Sequence, residues 1–212
     1  MKTFRQFLSE EITMDIEDHM TALGYKFLGG GVDQYAYLEP STGKVLKIFG
    51  SSDEVNSGGM SEGHRMFRTF YKFCQARPNN PFLPKFDGWT QFKYDGRHYL
   101  QIRMERLQHL PERANHMLDD FVQAASGYHG SFTGYLAAHD GDDGNDYNHE
   151  SIDDSLSEMI LLLGEDGCNL FFKTIRQLAD IAQAKDYMLD LHPANFMNRN
   201  DGTPVIVDPW TI

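Results

Sequence analysis

The sequence is poor in cysteine and in long apolar runs. Its only cysteines are Cys74 and Cys168, and neither stands in a C-x-x-C or other metal-binding spacing. No stretch approaches the roughly 20 apolar residues that a membrane helix needs. Residues 1–23 carry acidic side chains throughout and lack the apolar segment of a signal peptide. We therefore expect a reduced, cytoplasmic protein with no membrane partner.

Basic residues are also scarce, because 19 Lys and Arg stand against 31 Asp and Glu and give a formal charge of −12. Nucleic acids and anionic membranes are bound mainly through clustered Lys and Arg. The composition therefore predicts no nucleic-acid partner, and solubility is the simplest role for the acidity.

What the chain does have is enough apolar material for a core. Its 212 residues are 41% hydrophobic and 13% aromatic, which suits one domain or two small lobes. In residues 1–23 apolar side chains recur every three or four positions, so we predict an amphipathic helix. The apolar stripe consists of Phe4, Phe7, Leu8, Ile12, Ile16, Met20 and Leu23. This helix is expected to pack on the body of the protein, with a partner's surface as the alternative.

Residues 24–107 have the pattern of a β-rich lobe. Alternating or compact apolar segments predict strands at residues 25–28, 34–39, 45–49, 89–94 and 97–104. Asp95 and Gly96 form a strong turn signal between the last two strands, and Ser61 caps a predicted helix that ends before Pro81. We expect a five-stranded antiparallel sheet with one helix.

Residues 108–212 are predicted to be mainly helical. A helix is expected at residues 112–126, followed by a long acidic insertion near 127–154. Ser155 and Glu158 resemble a capping box, and Asn169 is expected to open a further helix. Two short strands, at residues 196–197 and 205–207, flank a turn at residues 200–202. The predicted fold class is α+β.

The strongest chemical signal is the segment LDLHPANF, in which Asp190 precedes Asn195 by five residues. An apolar strand then ends in Asp208. This succession of helix, Asp, Asn, hairpin and Asp is typical of a kinase catalytic loop and metal-binding aspartate. A carboxylate and an amide oxygen suit Mg²⁺, while Asp190 can accept a hydroxyl proton. The alternative is that these three side chains only cap turns.

The first half of the chain supplies the complementary groups. Gly29, Gly30 and Gly31 lie between two predicted strands, where backbone amides can approach phosphates. Lys47 lies in an apolar strand and needs an anionic partner if it is buried. Glu62 is the predicted partner, with Glu54 as the alternative; an edge-strand lysine reaching solvent is the competing reading.

These residues resemble the protein-kinase-like superfamily over roughly residues 25–210, and the similarity extends to the early protein kinases of T7-type bacteriophages. It is carried by LGGGVDQYAY, VLKIF, LDLHPANFM and DGTPVIVDPW. The resemblance implies a bilobal fold, with a five-stranded N-lobe at 24–107 and a truncated helical C-lobe at 108–212. It also implies a serine/threonine kinase that uses ATP and Mg²⁺ on host bacterial proteins in the host cell cytoplasm.

The resemblance also assigns roles to single residues. Lys47 would hold the α- and β-phosphates and Glu62 would orient it. Asp190 would align the hydroxyl, and Asn195 and Asp208 would bind Mg²⁺. The three glycines would contact phosphates, and the backbone at Glu105 and Leu107 would meet the adenine, as the kinase hinge does.

The sequence departs from the family in three places. Gln34 stands where the third loop glycine is expected, and Leu189 precedes Asp190 where regulated kinases have Arg. The sequence also stops at Ile212, shortly after the expected metal ligand. A catalytically inactive kinase-like binding or virion protein is therefore the alternative function, and a small-molecule phosphotransferase is a third. The partners expected besides substrate are a second copy of the chain or a virion protein.

Overall fold

The computed structural model describes residues 16–30, 34–49, 62–94, 97–127, 134 and 149–211. Helices and a five-stranded antiparallel sheet confirm the α+β class. The chain forms two compact units, Met1–His64 with Phe86–Arg106 and Arg65–Lys85 with Leu107–Ile212. Most of the helix predicted within the first lobe therefore belongs to the second unit.

The first unit is built on the five-stranded sheet, and each predicted strand is present. The strands are β1 Lys26–Gly30, β2 Gln34–Glu39, β3 Lys44–Phe49, β4 Phe86–Tyr94 and β5 Arg97–Met104. They pair antiparallel in the order β1-β2-β3-β5-β4, so that β3 is the middle strand. The β4 strand begins three residues before its predicted start, with a register shift between Phe86 and Gly88. The turn at 95–96 lies outside the described residues.

Helix α1, Ile16–Ala22, covers one face of this sheet. Its buried Ile16 and Met20 join a core cluster with Tyr37, Leu46, Ile48 and Tyr99. The predicted packing on the body of the protein is confirmed for these residues, while 1–15 lie outside the described chain. Leu23 was wrongly placed in the apolar stripe, because the helix ends at Ala22 and Leu23 is 60% exposed. Gly24, at a φ of 86°, then leads the chain into β1.

The second unit holds the longer helices. They are α2 Glu62–Gln75, whose first three residues belong to the first unit, α3 Glu112–Gly127 and α4 His149–Lys185. Its core contains stacked and edge-on phenylalanines. Phe171 stacks on Phe82 and Phe121 at centroid distances of 4.5 and 5.2 Å, and contacts Phe196 edge-on. No helix among the described residues is long and apolar enough to cross a bilayer.

Helix α4 differs from the sequence prediction at both of its expected boundaries. It begins at His149, inside the predicted insertion, and Ser155 lies within it, donating a 2.6 Å hydrogen bond to Asp120 instead of capping. Asn169 is also internal. The interruption falls at Gly164, with a φ of 69° and a ψ of 167°, because glycine adopts this backbone conformation without a steric penalty. Residues 128–133 and 135–148 of the insertion lie outside the described chain.

Five short strands complete the second unit. They are β6 Gln108–His109, β7 Met188–Leu189, β8 Phe196–Asn198, β9 Pro204–Ile206 and β10 Trp210–Thr211. The predicted hairpin is confirmed as β8–β9, and β6 pairs with β8 while β7 pairs with β10. In the hairpin turn the Asp201 carboxylate accepts the Thr203 N–H, and this hydrogen bond lowers the pKa of Asp201.

Both cysteines are buried and free. Burial, and to a smaller extent the nearby Glu165 carboxylate, raises the pKa of the Cys168 thiol to about 11. Burial likewise raises the pKa of Cys74 well above its usual range. Neither thiol is therefore suited to nucleophilic chemistry at neutral pH.

We expect both thiols to resist alkylation in the folded protein at pH 8. At that pH a group with a pKa of about 11 is ionised in only about one molecule in a thousand. Mass spectrometry after iodoacetamide treatment should show no adduct in buffer and two adducts in 6 M guanidinium. Rapid modification of either cysteine in buffer would contradict its burial.

Replacing Phe171 by Ala is expected to lower the free energy of unfolding by about 3–5 kcal/mol, because a fully buried ring would leave a cavity. Leu161→Ala, on the same helix but 87% exposed, should change it by at most about 0.5 kcal/mol. Urea titrations of both variants measure the difference. Equal losses would show that Phe171 is not at the centre of the core.

Candidate functional site

Asp190 follows a two-residue strand that is fixed by pairing. Leu189 and Met188 pair with Trp210 and Thr211. The Asp190 N–H then donates a 2.8 Å hydrogen bond to the Pro209 carbonyl. The residue is half-buried, with its side chain 35% exposed. The base of the predicted catalytic loop is thus attached to the segment that carries Asp208.

Asn195 ends a 3-10 turn, Pro193–Asn195, that brings it back to Asp190. Its side-chain Nδ2 donates a 2.7 Å hydrogen bond to the Asp190 carbonyl, and its N–H donates to the His192 carbonyl at 2.8 Å. Because the amide nitrogen is used in this way, the other end of the amide is Oδ1, the atom that can ligate a cation. The five-residue spacing in the sequence is the span of this closed loop.

Asp208 lies between buried residues at the end of the β8–β9 hairpin. Residues 204–207, 209 and 210 are all buried, whereas Asp208 is half-buried. The Val207 N–H donates a 2.9 Å hydrogen bond to the Asn195 carbonyl, and the Pro209 carbonyl accepts from Asp190. Of the two neighbours of Asp208, Val207 is therefore hydrogen-bonded to Asn195 and Pro209 to Asp190. The structure brings all three residues together.

Trp210 anchors this assembly and was not singled out from the sequence. Its Nε1–H donates a buried 3.1 Å hydrogen bond to the Leu178 carbonyl. Its ring contacts Phe70 edge-on at 6.0 Å and Tyr187 at 5.7 Å. The Trp210 backbone also pairs with Leu189, so this one residue connects the segment that leads to Asp190 with the segment that follows Asp208.

Lys47 lies in the first unit, on the middle strand of the sheet. Its strand partners are Ala36 and Ile102, so these side chains share one face, opposite the face that α1 covers. On this face Lys47 is the only Lys, Arg, Asp or Glu of β2, β3 and β5, and it is half-buried. The edge-strand reading is wrong, because β3 has a neighbour on each side.

The neighbours of Lys47 on this face are apolar. Val45 and Met104 are register partners, and both are buried at 9% and 3% exposure. Strand alternation places them on the Lys47 side of the sheet, immediately before Glu105. An ammonium group beside an apolar surface suits a ligand with two parts. The ammonium group can contact an anionic group, and the apolar surface can contact a flat, uncharged ring. The β3–β5 register that places Val45 beside Met104 could not be predicted from the sequence alone.

The glycine-rich connection is described only in part. Gly29 and Gly30 lie in β1, which shifts register between Phe27 and Gly29. A Cβ at Gly30 would lie 2.9 Å from the Tyr35 ring, so the close approach of the two strands favours glycine there. Gly31 lies outside the described residues, and phosphate contact by these glycines stays a prediction.

The remaining predicted residues are placed as follows. Glu62 is exposed at the first position of α2, Glu105 is half-buried after β5, and Leu107 is buried. Their roles stay predictions, and Glu54 lies outside the described residues. Among the described residues no three His, Cys, Asp or Glu side chains cluster in a way that could hold a metal. A cation here would be held by Asn195 and Asp208, with further ligands from a phosphorylated substrate.

No protein-family model matches the chain. Its sequence also has no significant match among curated proteins.

Trp210→Phe is expected to destabilise the protein by about 1–3 kcal/mol, because it removes a buried hydrogen bond and part of a buried ring. Trp89→Phe is the matched control, since Trp89 is 40% exposed, and its loss should be smaller. Urea unfolding followed by far-UV circular dichroism compares the two without relying on tryptophan fluorescence. A larger loss in Trp89→Phe would contradict the anchoring role of Trp210.

Proposed function

We propose that the chain is an ATP- and Mg²⁺-dependent phosphotransferase, acting as a serine/threonine protein kinase. The observation that carries the proposal is the closed loop in which the Asn195 amide is hydrogen-bonded to the Asp190 carbonyl while Asp208 lies between two residues bonded to the same loop. Turn capping alone does not need a carboxylate, an amide oxygen and a second carboxylate at one place. Phosphoryl transfer to a hydroxyl needs all three.

Each residue has a distinct task in the proposed reaction. The Asp190 carboxylate orients the acceptor hydroxyl and accepts its proton as the oxygen bonds to the γ-phosphorus. The bridging bond to the β-phosphate breaks and ADP leaves with its electron pair. Asn195 Oδ1 and the Asp208 carboxylate would hold Mg²⁺, which neutralises charge on the phosphate oxygens when bound.

Lys47 is assigned to the α- and β-phosphates. The assignment rests on the resemblance of VLKIF to the strand that carries the phosphate-binding lysine of kinases, and Lys47 is half-buried on the middle strand β3. Val45 and Met104 supply an apolar surface for the base, and the backbone after Met104 offers the hydrogen-bonding groups that an adenine edge needs. Glu62 is proposed to orient Lys47, and Gly29, Gly30 and Gly31 to approach the phosphates.

The proposal also covers the fold family of the chain and the cell in which it acts. We propose that the two units correspond to the N-lobe and C-lobe of a protein-kinase-like fold. By its resemblance to the early kinases of T7-type bacteriophages, the enzyme would act on host bacterial proteins in the host cell cytoplasm. These assignments rest on the motifs of the catalytic loop, the Lys47 strand and the segment around Asp208.

Asp190→Asn and Asp208→Asn are expected to abolish transfer of label from γ-labelled ATP to proteins of a bacterial lysate. Loss of a positioned base lowers kcat by about 10²–10⁴-fold. Asp190→Asn should keep nucleotide-dependent thermal stabilisation, because Asp190 contacts the hydroxyl and not the nucleotide. Asp208→Asn should lose the part of that stabilisation which requires Mg²⁺.

Asp186→Asn is the matched control. Asp186 is exposed, lies four residues before Asp190 and has a φ of 59°, which Asn tolerates. It should transfer label like the wild type. If nucleotide stabilises the wild-type protein but no label is transferred, the proposal of enzymatic activity is contradicted, and a kinase-like binding protein is favoured. If nucleotide neither stabilises the protein nor supports transfer, nucleotide binding is contradicted as well.

A further inference from the structure

His192 connects the two parts of the catalytic loop through its two ring nitrogens. Its Nδ1 accepts the Ala194 N–H at 3.2 Å and so caps the 3-10 turn Pro193–Asn195. Its Nε2 lies 3.6 Å from Asp190 Oδ1. One side chain therefore contacts both the turn that ends in Asn195 and the carboxylate of Asp190.

The cap determines which nitrogen carries the proton. A ring nitrogen can accept a hydrogen bond only through a lone pair that carries no proton. Nδ1 is therefore unprotonated, and the neutral ring carries its proton on Nε2. The Nε2–H is then the donor nearest to Asp190 Oδ1. At 3.6 Å the contact is longer than a hydrogen bond, and contacts of catalytic groups commonly shorten when substrate binds.

Asp190 needs such a restraint because its carboxylate is 35% exposed and its two oxygens are chemically equivalent. Rotation about the terminal bond of an aspartate is soft, so an unrestrained carboxylate samples a broad range of orientations. A hydrogen bond from Nε2–H to Oδ1, formed once this contact shortens, would remove that freedom and leave Oδ2 to accept the hydroxyl proton. His192 is itself 54% exposed, so the pair is accessible to an acceptor from solvent.

We propose that His192 is a positioning residue, whose Nε2–H holds Oδ1 of Asp190 and thereby presents Oδ2 to the acceptor hydroxyl. The inference rests on the proposed phosphotransfer function. It assigns the ring two separable tasks: Nδ1 maintains the turn, and Nε2 orients the base.

Two substitutions separate these tasks. In His192→Asn the side-chain Oδ1 takes the position of Nδ1 and can accept the Ala194 N–H, since Asn before Pro favours such a turn, but no atom reaches Asp190. In His192→Gln the amide nitrogen takes the position of Nε2, but the acceptor for Ala194 is lost. His109→Asn, at an exposed histidine in β6, controls for the substitution itself.

We expect His192→Asn to keep the thermal midpoint and the KM for ATP of the wild type while kcat falls about 10- to 100-fold, as a displaced catalytic group predicts. His192→Gln should show the opposite pattern, with a lower thermal midpoint and most of kcat retained. A turn-capping role alone would lower kcat only in variants that lose thermal stability. Wild-type kcat in His192→Asn, or equal kcat losses in both variants, would overturn the proposal.

A spectroscopic measurement does not depend on activity. Long-range ¹H–¹⁵N correlation spectra distinguish imidazole tautomers, and the His192 signal is identified by its disappearance in His192→Gln. We expect the Nε2–H tautomer and a shifted Nε2 signal in Asp190→Asn. The Nδ1–H tautomer would overturn the proposal. Absence of transfer by the wild type would instead contradict the proposed function, even if the tautomer is as expected.

Discussion

The candidate site depends on the hydrogen bond from the Asn195 side chain to the Asp190 carbonyl. It closes the loop between the two residues and determines which end of the amide stays available. An aspartate at this position could not make the bond, because an ionised carboxylate has no donor and would face a carbonyl oxygen. The bond therefore accounts for an amide instead of a carboxylate at position 195, whatever the site binds.

The other constraint on the site is backbone pairing by apolar neighbours. Val207 and Pro209 are buried, and their main-chain groups bond to Asn195 and Asp190 while Asp208 between them is half-buried. Because the backbone is fixed in the folded core, the conformational entropy of these segments is already lost on folding. The polar residues of the site are thus positioned by the hydrophobic core, and Trp210 connects the two.

Much of this arrangement could be predicted from the sequence, because its signals are local. The five large strands follow from alternation and turn residues, and the Asp190–Asn195 spacing indicates a closed loop. Strands of two residues, such as β7 and β10, carry no period and exist only through tertiary pairing. Helix α4 was misjudged because Ser155 fits a cap in isolation, whereas the structure uses its hydroxyl to contact Asp120.

The environment of Lys47 also could not be predicted from local sequence signals. The sequence places a lysine in an apolar strand, but only the register shows that β3 is central and that Ala36 and Ile102 flank Lys47. In a sheet that served stability alone, an apolar residue at this position would bury more surface at no cost in desolvated charge. A local choice that conflicts with packing is typical of functional positions.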